Sequence, residues 1–147
     1  MKYPAIFTPA EEGGFVVTFR DIPEAITQGD DEAEAMAMAR DVLREAMAVY
    51  FDERRTVPLP SQPREGERAV DLPLSVAAKV LLVNEMLSQQ IAPSDLARRL
   101  GTTRQEVNRL TDLKHPTKID RIAEAVAAMD RRLDLAIQNA EQISSRG

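Results

Sequence analysis

Residues 14–20, GFVVTFR, alternate strictly, with Phe15, Val17 and Phe19 on one side and Val16, Thr18 and Arg20 on the other. Period two is the signature of a half-buried strand. The preceding KYPAIFTPA predicts a strand over residues 2–10. Pro4 would favour a sheet edge, because proline cannot donate to a ladder. EEGG supplies the turn between the two strands. In DIPEAITQGD the chain should kink at Pro23, run extended over Ala25–Gln28 and break at Gly29. Asp31 and Glu34 then have the spacing of a capping box. From there Met36, Ala39, Leu43, Met47 and Tyr50 recur every three or four residues, which predicts a helix to about Phe51. The segment 56–68, TVPLPSQPREGER, holds three prolines and a glycine and reads as a linker. Ala69–Leu72 could still form a last strand.

Beyond residue 70 the period changes to that of helices. Leu74–Gln89 carries Leu74, Ala78, Leu81, Leu82 and Leu87, and Ile119–Met129 carries Ile119, Ile122, Ala123 and Val126. Between them, PSDLARRLGTTRQEVNRLTD (93–112) predicts two short helices. Pro93 suits a first helical turn, and Gly101 can end the first helix in the left-handed conformation. Thr103 caps the second, with Glu106 as the reciprocal half of a capping box. The tail RRLDLAIQNA alternates Leu133, Leu135 and Ile137. It either pairs with a second copy as a short strand or closes the core of its own domain. The expected architecture is an α+β domain of β-β-β-α-β order over 1–70, followed by an all-α domain over 71–147.

Charge sharpens this division. The 147 residues carry a net charge of −5, with residues 1–70 at −6 and residues 71–147 at +1. Within 93–121 seven Lys/Arg face four Asp/Glu, net +3. An acidic front and a locally basic back point to two partners of opposite charge. On the second short helix Val107 and Leu110 should be buried, which turns Arg104, Gln105, Asn108 and Arg109 outward. Arginine bonds guanine bidentately, and Asn or Gln does the same to adenine. Thr103 opens that helix, and Lys114 and Lys118 in the loop beyond would lie near phosphate. Two helices crossing through a tight glycine turn predict a helix-turn-helix whose second helix enters the major groove of DNA. The spacing and flanking helices resemble the Xre/Cro-like class, which implies binding to a palindromic operator as a dimer.

The front half shows no comparable chemistry. No cysteine is present, which excludes disulfides and thiolate metal sites, and the single His115 excludes a multi-histidine site within one chain. Neither a Ser-His-Asp set, a glycine-rich phosphate loop nor HExxH occurs. The acidic residues from Asp21 to Glu34 crowd a helix start, where they favour the dipole. No catalytic residue, metal or cofactor is expected. Nor does any apolar run suit a signal peptide or a membrane span, so a cytoplasmic protein is expected.

YPAIFTPAEEGGFVVTFRDIPEAITQGDDEAEAMAMA resembles the N-terminal domain of HicB antitoxins: a hairpin, then D-I-P, then a Gly-Asp step into an Ala-rich helix. The resemblance implies a pared-down RNase H-like fold in this domain and an antitoxin that binds a HicA-like, mRNA-cleaving toxin. It further implies repression of the shared operon through operator DNA by a homodimer or higher even-numbered oligomer. Arg20, Asp21, Glu24 and Asp30 are the candidate toxin contacts. One alternative is a one-component regulator whose N-terminal domain senses a small ligand. Another is a degenerate RNase H-type nuclease. A nuclease would need inward carboxylates for metal ions, whereas the strands over 2–10 and 14–20 carry only Lys2 and Arg20 as charged residues.

Overall fold

The computed structural model describes residues 1–139. Elements run in the order β1 (Lys2–Pro9), β2 (Phe15–Phe19), β3 (Ile26–Gly29), α1 (Glu32–Asp52), β4 (Arg68–Asp71), α2 (Leu74–Gln89), α3 (Pro93–Leu100), α4 (Arg104–Leu110) and α5 (Ile119–Ala127). The fold is α+β: an N-terminal antiparallel sheet of order β3-β2-β1-β4, then helices. By its contacts the chain divides into two units. The first holds residues 1–47 and 58–72, and the second holds residues 48–57 and 73–137.

In the first unit the alternation in β2 has the expected consequence. Val17 and Phe19 are buried together with Tyr3 and Ala5 of β1. The buried positions of α1 are Ala35, Ala39, Leu43, Ala46, Met47 and Tyr50, with Met36 only half-buried. Asp31 accepts from the Glu34 amide at 2.8 Å, and the Glu34 carboxylate accepts from the Asp30 amide at 2.7 Å, so the expected capping box forms with a one-residue offset. Two glycine positions are dictated by packing. β3 ends at Gly29, and a Cβ there would lie 2.4 Å from the Ala35 nitrogen at the start of α1. At Gly14, with φ at 75°, a Cβ would lie 2.3 Å from the Gly29 carbonyl oxygen.

Pro4 departs from expectation. β1 is an inner strand, and Pro4 pairs with Ala69 of β4. The β1–β2 register reaches only Ala5↔Phe19, so at Pro4 the strand has a neighbour on one side alone. The missing amide is tolerated because that point is locally an edge.

The second unit is built on Ala78, Leu82, Met86, Ile91, Leu96, Ala97, Val107, Leu110, Ile122, Ala125, Val126 and Met129. Of the stripe expected on α2, Leu74 is 67% exposed and Leu81 also faces solvent. Ala78 and Leu82 are buried as expected, and the buried face also takes in Val76, Ala77, Val80, Val83, Met86 and Lys79. Asn84 accepts from the Val57 amide at 2.9 Å and donates to the Val57 carbonyl at 3.0 Å, which satisfies a backbone pair outside any ladder. The tail resolves into two behaviours. Leu133 packs on the core, whereas Leu135 is 71% exposed and Ile137 is fully exposed, and residues 131–139 form no strand.

Candidate functional site

The two short helices of the basic stretch form as their caps dictate. α3 begins at Pro93, and Asp95 accepts from the Ala92 amide at 3.3 Å. The Arg98 guanidinium beside Asp95, together with that amide, holds its carboxyl below the usual carboxylate range. α3 ends at Gly101, whose φ of 67° is left-handed. Thr103 caps α4 by accepting from the Glu106 amide at 3.1 Å. Only this half of the expected box is made. The Glu106 carboxylate turns instead to Arg109 at 3.3 Å and Arg121 at 3.9 Å.

α4 is anchored by Val107 and Leu110, both fully buried. Their burial turns Arg104, Gln105, Asn108 and Arg109 to solvent, and Thr103, Lys114 and Lys118 are exposed as well. All seven candidates therefore lie on α4 or in the segments flanking it. Arg104 makes no ion pair among the described residues, while Arg109 is held toward Glu106. His115, half-buried in the loop, contributes its carbonyl rather than its ring.

That carbonyl belongs to an arrangement the sequence did not disclose. The Lys79 side chain, 2% exposed, donates to the carbonyls of Arg109 at 3.1 Å, Asp112 at 2.7 Å and His115. The first two lie at the C-terminal end of α4 and just beyond it. A helix end leaves carbonyls unpaired, and a cation there opposes the dipole. Burial pushes the Lys79 ammonium below its ordinary range, with nearby Asp112 acting in the opposite direction. The α2 pattern does not single out Lys79, and only its placement on a helix buried over a wide arc reveals it.

The candidates in the first unit separate. Arg20 donates to Glu67 at 2.7 and 3.1 Å and to the Gln62 carbonyl. Glu67 also accepts from the Arg64 amide at 2.6 Å. The Arg20 guanidinium and this amide hold the Glu67 carboxyl below its usual range against the opposing effect of burial. Asp21 accepts from the Ser61 amide at 2.8 Å and from its hydroxyl. Arg20 and Asp21 thus pin residues 61–67 to the end of β2. Glu24 and Asp30 are exposed. Asp30 lies with Glu11 and Glu12 around a cleft of about 380 Å³ at the hairpin end of the sheet.

A family model described as HicB_like antitoxin of bacterial toxin-antitoxin system matches residues 2–81. The chain belongs to the HicB-like antitoxin family. It is 47% identical over 137 residues to Antitoxin HicB of Escherichia coli (strain K12), covering 93% of this chain and 99% of that one. To Antitoxin HicB 2 of Photorhabdus laumondii it is 49% identical over 135 residues, 92% and 95% of the two chains. To Antitoxin HicB of Pseudomonas fluorescens (strain Pf0-1) it is 35% identical over 131 residues, 88% and 90%. The family match spans the sheet, α1 and the start of α2. The relatives extend the likeness through the α3–α4 pair. These relatives are antitoxins by name, and an antitoxin acts by binding rather than by catalysis. Among the described residues no group of His, Asp and Glu could hold a metal, and no helix is long and apolar enough to cross a membrane.

Proposed function

We propose that this antitoxin has two binding activities: it neutralises a HicA-like mRNA-cleaving toxin through its first unit, and it represses its own operon through the second. The family membership carries the reading. In the first unit, taken as a pared-down RNase H-like domain, the acidic surface suits a basic RNA-binding partner, since complementary charge speeds encounter. In the second, α3, Gly101 and α4 act as an Xre/Cro-like helix-turn-helix. Thr103, Arg104, Gln105, Asn108 and Arg109 face the major groove, and Lys114 and Lys118 face phosphate. Arg20 and Asp21 support the toxin-binding domain by fixing its linker, while Glu24 and Asp30 lie at the surface.

Operator binding of this kind needs two copies joined symmetrically. The exposed Leu135 and Ile137 suit such a junction, and Leu135→Asp should shift the mass measured in solution from dimer to monomer.

The full-length chain, mixed with the small protein encoded beside it, should protect a test RNA from cleavage and retard a DNA fragment from its own promoter. RNA cleavage that continues at saturating chain would defeat the neutralisation half. Equal affinity for promoter and random duplex would defeat the repression half.

A further inference from the structure

The sheet of the first unit has two unlike faces. One carries Ala5, Val17 and Phe19, all buried. On the other, register places Ile6, Thr18 and Ile26 in one cross-strand row and Thr8, Val16 and Gln28 in the next. Ile6 is 45% exposed and Ile26 is 59% exposed, while Thr18 between them is half-buried. Single exposed apolar residues are ordinary, but two bracketing one row of a bare sheet face make a continuous surface. The row reaches the free edge of the sheet at β3, a strand of only four residues.

Charge identifies the occupant. Residues 1–47 and 58–72 hold 6 Lys/Arg against 13 Asp/Glu, net −7. The carboxylates of Glu11, Glu12 and Asp30, at the hairpin end of this face, make no ion pair among the described residues. An apolar centre with a charged rim is the anatomy of a protein–protein interface. A second copy of the same unit would bring its own net −7 against this rim, and nucleic acid would be repelled outright.

We infer that the Ile6–Thr18–Ile26 face is the docking surface for a basic protein, and that the acidic hairpin end steers that protein onto it. This deepens the proposed function and rests on it, since the basic protein is then the toxin. It also moves the contact away from Arg20 and Asp21, which are occupied by the linker.

The test uses the full-length chain and the small protein encoded beside it. Ile6→Asp/Ile26→Asp should weaken toxin binding by about 30-fold or more in calorimetry, with promoter binding and the thermal melt unchanged. If that pair of changes disturbs the fold, Thr18→Arg, which sets a positive charge in the centre of the row, should give the same loss. Glu11→Lys/Glu12→Lys should slow association at low salt and leave dissociation nearly unchanged. A folded Ile6→Asp/Ile26→Asp chain that keeps wild-type affinity would overturn the inference. So would a change in oligomer mass with toxin affinity intact, which would mark the face as a contact between copies. Failure of the unaltered chain to bind the toxin would overturn the antitoxin reading instead, and this inference with it.

Discussion

Glu67 and Lys79 are the two charged side chains buried among the described residues, one in each unit. Glu67 is met by an opposite charge, the Arg20 guanidinium, and by a backbone amide. Lys79 is bonded only to three backbone carbonyls. The Arg20 guanidinium, with the amide, favours the ionised form of Glu67, whereas burial disfavours the ionised form of Lys79. A charge answered by a counter-charge joins two pieces of chain at a point. A charge answered by dipoles organises a helix end and the loop after it. The acidic unit uses the first device to fix its linker, and the helical unit uses the second to shape the segment proposed to read DNA.

The strongest way to break the comparison is at Lys79. Lys79→Met keeps the aliphatic stem but leaves three carbonyls without their donor, and should destabilise the second unit by about 3 kcal/mol. Chemical denaturation followed by probes in each unit would show it. A uniform loss in both units, or none, would break the assignment of this device to the second.

Next comes the ion pair. Arg20→Ala should destabilise the first unit by less than the Lys79 change, because the Glu67 carboxylate would remain buried with a backbone amide as its main partner. The pH dependence sharpens the contrast. The folded pKa of Glu67 lies below 4.5, so its stabilising contribution is present above 4.5 and is lost as pH falls through the folded value. The folded pKa of Lys79 lies below 10.5. Its burial penalty is therefore full while the ammonium persists, and it relaxes as pH climbs from the folded value toward 10.5. Both groups hold fewer protons folded than unfolded, so stability rises with pH in each window. Glu67→Gln should flatten the acid limb alone, measured as melting temperature against pH.

Much of the first unit was legible because its strands alternate cleanly and its turns are made by Gly, Pro and Asp. The strands ended within one residue of their expected bounds, and α1 ended one residue later than expected. Pro4 misled because edge and interior are properties of ladder length, which a single strand's pattern does not encode. β3 does end at Gly29, but the close approach of Ala35 that requires glycine there is tertiary and not legible in sequence. In the second unit the outward row on α4 followed directly from Val107 and Leu110. On α2 the expected stripe was right at Ala78 and Leu82 and wrong at Leu74 and Leu81, since a helix buried over a wide arc loses its apolar stripe as a guide. Linker attachment at Arg20 and Asp21 was hidden as well. Both read as candidate toxin contacts, whereas their partners lie in residues 61–67, far along the chain.

Smaller effects test the helical unit as a reader of DNA. Arg104→Ala and Arg109→Ala should each weaken specific binding by roughly 1–3 kcal/mol and relax preference at one base pair. Arg109 should fall at the lower end, because it already shares Glu106. Competition between operator variants would measure both. Lys118→Ala should weaken all duplexes about equally and reduce the slope of log affinity against log salt by about one.

The three bonds from Lys79 span 30, 33 and 36 residues of sequence. Residues 93–112 are therefore not a portable module. Grafted elsewhere without α2, they would keep Gly101 and the Thr103 cap but lose the donor that closes the far end of α4. The amides of α4 should exchange with solvent at the rate at which α2 lifts away, so that the reading segment and its remote donor open as one event.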